Sequence, residues 1–233
     1  MEKYELIPGI LAIGKSILIK KEKVMIIGDI HIGYEESLNN SGIFVPRNNF
    51  KEIFSEIQYL INRIKPKIVV INGDLKHEMG KISNQEWKEI SELLNFLKSK
   101  AKIILIKGNH DKIIEPIAKK QRIKFLREYK TKFVCITHGD SFIESDKKVI
   151  IIGHEHPAIT LRENFKRESF KVFLKGKIKN KTLIVMPSFF NITEGNDFLN
   201  GEILSPYIKK GKEFEVFVIG DKIYNFGKIK DFF

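Results

Sequence analysis

The chain is poor in several residue types, and each scarcity excludes something. It has one cysteine in 233 residues, so no internal disulfide framework holds it together. That cysteine, Cys135, lies in the apolar run Phe133-Val134-Cys135-Ile136 and reads as a buried residue rather than a reactive thiol. No apolar stretch reaches the roughly 18–20 residues of a membrane span. The N-terminus carries Glu2 and Glu5 and lacks a long apolar core, so no signal peptide is expected. Arginine is scarce too: of 41 basic residues only six are Arg (positions 47, 63, 122, 127, 162 and 167), which leaves 35 Lys. The formal net charge of +12 favours anionic partners, nucleic acid among them. A lysine-rich surface also serves plain solvation, because Arg makes the forked contacts to phosphate. No internal repeat, low-complexity segment or linker breaks the sequence, and no Ser or Cys nucleophile elbow is present. A hydrophobic content of 42% suffices for a packed core. The expectation is a cytoplasmic protein with one domain over residues 1–233.

Histidine is what the chain places with care. All six (31, 77, 110, 138, 154 and 156) fall in five short motifs. These are Gly28-Asp29-Ile30-His31, Gly73-Asp74-Leu75-Lys76-His77, Gly108-Asn109-His110-Asp111, Thr137-His138-Gly139-Asp140 and Gly153-His154-Glu155-His156. Each follows an apolar, β-branched run with the length of a buried strand: 24–27, 67–71, 102–106, 132–137 and 148–152. Ligands of open α/β sheets gather beyond such strand ends. Residues 10–13 and 16–20 read as a hairpin turning at Gly14-Lys15. Helical spacing is seen over 48–64, with Asn48 or Asn49 as cap, over 84–100, with Trp87 on the same apolar face as Leu93, Leu94 and Leu97, and over 113–120. After residue 158 the pattern becomes strand-like: 158–161, 169–175, 182–186, 213–219 and 221–226. Strand–helix alternation followed by strands predicts an α/β chain with two sheets packed face to face and helices outside.

Asp29 and His31 are two residues apart, as are His154 and His156; in extended backbone each pair points one way. Asp74 and Asn109 add oxygen donors. A mixed imidazole–carboxylate–amide set without thiolate suits Mn, Fe or Zn. The donors outnumber what one ion needs, so two divalent ions are expected, with Asp74 shared between them. Such a pair clamps an in-line displacement at phosphorus, with a metal-bridging hydroxide as nucleophile. Asp140 and Glu155 read as turn or supporting residues, Arg47 as a surface residue, and Tyr34 as a residue at the pocket border or in packing.

These five ordered motifs resemble those of the calcineurin-like metallophosphoesterase superfamily. Gly73-Asp74-Leu75-Lys76-His77-Glu78 is similar to the corresponding motif of DNA-repair nucleases related to SbcD. Residues 5–205, including Pro187-Ser188-Phe189, resemble archaeal SbcD-related phosphoesterases and bacterial DNA-ligase-associated metallophosphoesterases. The resemblance implies a four-layer αββα sandwich of two mixed sheets. It implies that Asp29, His31 and His156 hold one metal, that Asn109, His138 and His154 hold a second, and that Asp74 bridges them; Mn is the foremost ion, with Fe or Zn as alternatives. It further implies that His110 faces the scissile phosphate and protonates the leaving oxygen, that Asp111 orients His110, and that His77 assists catalysis. Serine/threonine phosphatases of the superfamily carry an arginine where this chain has Lys76-His77-Glu78, which speaks against protein phosphatase activity. With residues 157–233 needed largely for sheet, processive resection of DNA is not expected. The leading expectation is hydrolysis of phosphodiesters of nucleotides or nucleic acid. The alternatives are a small-molecule phosphomonoesterase or pyrophosphatase, and a nucleic-acid-binding accessory protein of DNA repair.

Overall fold

A computed structural model describes residues 2–46, 48–80, 82–163, 166–209 and 213–232; Arg47 lies outside the described residues. Seven strands form the first sheet: β1 (Lys3–Ile7), β2 (Ile10–Ile13), β3 (Ser16–Ile19), β4 (Val24–Ile27), β5 (Ile68–Asn72), β6 (Lys102–Ile106) and β7 (Lys124–Leu126), in that order across the sheet. The first four are antiparallel neighbours, and β4 to β7 run parallel. The second sheet is built from β8 (Glu128–Lys130), β9 (Val134–Thr137), β10 (Val149–Ile152), β11 (Pro157–Glu163), β12 (Lys166–Ile178), β13 (Lys181–Val185), β14 (Asn196–Asp197), β15 (Glu215–Ile219) and β16 (Ile223–Lys228). Its order is β14-β11-β12-β13-β10-β9-β8, with β15 paired to β12 and β16 paired to β15. The chain completes one sheet before starting the other, and it crosses between them at Arg127.

Strand alternation sorts the apolar side chains into layers. Ile17, Ile26, Val70 and Ile104 of the first sheet meet Ile136, Ile151, Phe173 and Ile184 of the second in a core between the sheets. The other face of the first sheet, through Met25, Ile27, Val69, Ile71 and Leu105, packs on the helices. These are α2 (Asn49–Ile64), α3 (Asn84–Lys100) and α4 (Glu115–Lys120). The outer face of the second sheet is covered by irregular chain bearing Phe198, Tyr207, Ile208 and Phe214. Two mixed sheets face to face with helices outside are what the sequence led us to expect; among the described residues the layer over the second sheet is irregular chain with one 3-10 helix, Ile229–Phe232.

Local details differ from the sequence reading in instructive ways. A short helix, α1 (Tyr34–Asn40), follows the first motif. Only Glu35 of α1 is buried, so no apolar stripe announces it. Asn48 occupies the N-cap of α2 without a side-chain cap bond, and the Asn49 side chain accepts from Asn191 N instead. α3 is capped by Ser83, reciprocally with Glu86. Trp87 is not in the core: it stands 39% exposed at the margin, with Lys120 Nζ 5.5 Å above its ring. The Glu128 carboxylate lies 3.2 Å from the Sγ of Cys135, which is buried as expected.

Candidate metal centre

The five motifs converge beyond the carboxyl ends of β4, β5, β6, β9 and β10. The backbone that brings them there is not extended. Asp29, His31, Asp74, His154 and His156 all have positive φ, between 46° and 64°. Each donor therefore sits at a sharp left-handed bend, a conformation that costs a non-glycine residue of order 1–3 kcal/mol. This corrects the expectation that the two-residue spacings work through strand alternation: the pairs converge because the chain bends at each donor. The bends are held by bonds between motifs. Asp29 N donates to Gly73 O and His31 N to Asp74 O. Glycine is required beside them. A Cβ on Gly108 would overlap Asp74 Oδ1, and one on Gly73, at φ +78°, would overlap the His138 ring.

Two groups of donors share Asp74. In one, Asp29, His31, Asp74 and His156 each offer an atom within 4.8 Å of the others; in the second, Asp74, His138 and His154 do the same. His31 Nε2 is 3.3 Å from His156 Nε2, and Asp29 Oδ1 is 3.2 Å from His156 Nε2. Asp74 Oδ2 lies 3.8 Å from His31 Nε2 and 3.4 Å from His138 Nε2. Asn109 Oδ1 is 3.0 Å from His138 Nε2, which brings the amide to the second group. The His138 ring is oriented from behind by Asn72 O, 3.2 Å from Nδ1.

The electrostatics of this cluster suit a divalent cation. Asp29 is fully buried and Asp74 nearly so, and among the described residues neither pairs with a Lys or Arg. Among those residues the two buried carboxylates meet only imidazoles and the backbone N–H groups of His110 and His154, so a cation between them would be well compensated. Burial pushes the Asp29 carboxyl up, but His156 and His138 outweigh burial and leave it lowered. Burial and the neighbouring His156 push His31 down to about 3. Burial also opposes charge on His138, yet Asp74 and Asp29 raise it to about 10. His31 Nδ1 is buried with no hydrogen-bond partner.

His77 and His110 stand together beside the first group. Their rings stack with centroids 5.4 Å apart, and each lies within 5.4 Å of His31. The His77 carbonyl fixes His110 by accepting from Nδ1, and Nε2 comes within 4.0 Å of Asp74 Oδ2. Asp111 was expected to orient the His110 ring, but its carboxylate accepts from Leu75 N at 3.0 Å and Gly108 N at 3.0 Å. It joins two ligand loops instead. Burial and His110 push His77 down to about 4.

Sequence reasoning named Pro187-Ser188-Phe189 only as part of a resemblance and gave the segment that packs against the donors no role in the site. Phe189 N and Phe190 N both donate to Asp29 O, and the Phe190 ring packs 5.2 Å from His31 and 5.7 Å from His156. Two lysines hold this segment. Lys15 Nζ reaches Phe189 O at 3.0 Å and Asn191 Oδ1 at 2.5 Å, while Lys171 Nζ reaches Ser188 Oγ at 2.7 Å and the carbonyls of Thr193 and Glu194. Tyr34 borders the same side, its ring 4.3 Å from that of His77. Asp140 is exposed. Glu155 turns away from its histidine neighbours to accept from Leu204 N and Ser205 N.

The sequence model of a family described as calcineurin-like phosphoesterase matches residues 22–222. Among solved structures, the nuclease MPE of Pseudomonas putida is similar over 96% of this chain and 98% of its own, with a TM-score of 0.72 at 16% identity. The phosphoesterase Yfce from E. coli is similar over 88% of this chain and 97% of its own, with a TM-score of 0.46 at 14% identity. No curated protein matches by sequence.

Proposed function

The chain belongs to the calcineurin-like phosphoesterase family and is a metal-dependent phosphoesterase, and from that premise we propose that it hydrolyses phosphodiester bonds of nucleotides or nucleic acid at a centre of two divalent ions, with Mn as the foremost candidate. The observation that carries the reading is the membership of Asp74 in both donor groups. Asp29, His31 and His156 would hold one ion, Asn109, His138 and His154 the other, and Asp74 both. When bound, the ions supply Lewis acidity toward phosphoryl oxygens and a water of strongly lowered pKa.

The protein's own residues do the rest. Asp111 ties the Asp74 and Asn109 loops together, so the donors keep their spacing. His110 donates from Nδ1 to the His77 carbonyl, which fixes the ring and turns Nε2 toward Asp74. In its protonated form it presents Nε2–H to the leaving oxygen. His77, held neutral in ordinary conditions by its lowered pKa, lines the substrate side without adding charge. Tyr34 and Phe190 flank the donors on that side, their rings against His77 and against His31 and His156. A diester is favoured over a monoester because Lys76-His77-Glu78 lacks the arginine that superfamily phosphatases carry in this motif, and the neutral His77 ring beside His110 suits the single charge of a diester better than the double charge of a monoester.

Metal analysis of the purified protein, combined with hydrolysis of an aryl phosphodiester, cyclic nucleotides, single-stranded DNA and an aryl phosphomonoester in Mn, tests the proposal. Diester hydrolysis exceeding monoester hydrolysis is the expected result. Turnover of the monoester alone would replace the proposal with a small-molecule phosphomonoesterase.

A further inference from the structure

β11 and β12 continue as a bare two-stranded ribbon beyond the sheet in which they are rooted. β14 pairs with β11 only at Pro157 and Ala158, and β15 pairs with β12 only over residues 172–175. Over 159–163 and 166–170 the two strands have only each other among the described residues. Hairpins on their own are marginal in water, so an exposed extension needs a purpose.

Register divides the ribbon into two faces. Ala158 faces Lys171, Thr160 faces Ser169, and Arg162 faces Arg167 on one side; Ile159 with Phe170, and Leu161 with Glu168, lie on the other. The second face is anchored in the outer core through Ile159. The first begins at Lys171, which grips the segment carrying Phe190 beside His31 and His156. Further out, Thr160 Oγ1 and Ser169 Oγ are 2.9 Å apart. At the end, Arg162 and Arg167 stand directly opposite each other, both exposed, and neither has an ion-pair partner among the described residues. Like charges opposite each other on a strand pair are destabilising. Protection of an edge strand from aggregation would be served by one charge of either sign. Two forked cations aimed the same way match the oxyanions of a phosphate backbone. Arg162 is six residues beyond His156, about 20 Å along an extended strand, which is farther than a mononucleotide spans.

We propose that this ribbon grips the phosphate backbone of a polynucleotide, with Arg162 and Arg167 on phosphates several nucleotides from the bond that is hydrolysed. The proposal rests on the phosphodiesterase reading above and narrows it to polymeric substrates. The test is fluorescence anisotropy of a labelled 20-nucleotide single strand titrated with protein in EDTA, where no hydrolysis occurs, at a series of salt concentrations. Wild type is compared with Arg162→Gln/Arg167→Gln and with Lys20→Gln/Lys21→Gln. The latter loses the same two charges from the exposed turn between β3 and β4, at the far end of the sheet. The arginine pair should weaken binding several-fold and reduce the slope of log affinity against log salt by about 1.4, since single strands lose about 0.7 per phosphate contact. The lysine pair should move the slope far less. An arginine variant with the wild-type slope, a lysine variant with an equal loss, or a wild-type protein that does not bind the strand would each overturn the proposal. Failure of the phosphodiesterase reading would instead be seen as absence of aryl diester hydrolysis in Mn, a result independent of binding in EDTA.

Discussion

His31 Nε2 and His156 Nε2 face each other at 3.3 Å, although 125 residues of chain separate them. At that distance the two rings either share one N–H···N hydrogen bond or turn both lone pairs toward a common cation, and burial with His156 beside it keeps His31 neutral down to about pH 3, free to take the second arrangement. Divalent metal should therefore stabilise the fold. At a free Mn concentration 100 times Kd, about 2.7 kcal/mol is added per site. Thermal melts in Mn and in EDTA measure this, and His156→Ala should abolish part of the difference.

Uptake of metal should also release a proton. Asp74 and Asp29 hold His138 protonated to about pH 10, despite its burial, and a ligand imidazole must be neutral. Titration calorimetry at pH 7.5 in two buffers of different ionisation enthalpy should count close to one proton released per protein, with affinity rising as pH rises. In the metal-free protein the sign for folding follows from the raised pKa. The stability that His138 contributes is fully present below pH 6.5 and is lost as pH rises through about 10. The gap in urea midpoint between wild type and His138→Gln should close over that interval.

Asp74→Asn removes the oxygen donor common to both groups. Loss of supporting groups around metal ligands alone costs 10–100-fold, so activity should fall by at least about 100-fold, with fewer than two ions retained on metal analysis. A variant that kept two ions and full turnover would refute the shared role.

His110→Ala should lower kcat by about 100-fold or more while leaving metal content unchanged, because the ring is assigned to the leaving group and not to an ion. His77→Ala should lower diester turnover more than monoester turnover. The ratio of the two activities is the measurement.

Lys171→Met should loosen the segment that packs against the donors. Charge-assisted hydrogen bonds contribute about 1.5–3 kcal/mol, so the urea midpoint should fall clearly, and Mn affinity should weaken because Phe190 no longer packs on His31 and His156. Lys171→Arg should restore part of both. An unchanged Mn affinity would limit Lys171 to stability.

The sequence made the donors legible because six histidines fell into five strand-end motifs; chemistry of that kind leaves its mark in residue type and spacing. Most strands of both sheets were legible through their apolar runs, but the short edge strands β1, β7, β8 and β14 lack such runs and were not read. Other features were written in no local pattern. α1 lacks an apolar face, and Trp87 shares its helical period with core leucines yet lies at their edge. The left-handed bends at Asp29 and His156 are imposed on residues that do not themselves favour them. Lys15 and Lys171 look like two of 35 surface lysines, and only the tertiary structure places both against one loop. Asp111 sits next to His110 in sequence, but its partners are backbone amides.

The crossing at Arg127 divides the polypeptide into two consecutive stretches. Asp29, His31, Asp74 and Asn109 belong to the earlier one, and His138, His154 and His156 to the later. Both donor groups that share Asp74 draw on the two stretches together, so under the proposed assignment a nascent chain would stay catalytically silent until the later stretch has docked on the earlier one. A gene split at that codon would turn hydrolysis into a reporter of fragment reassembly.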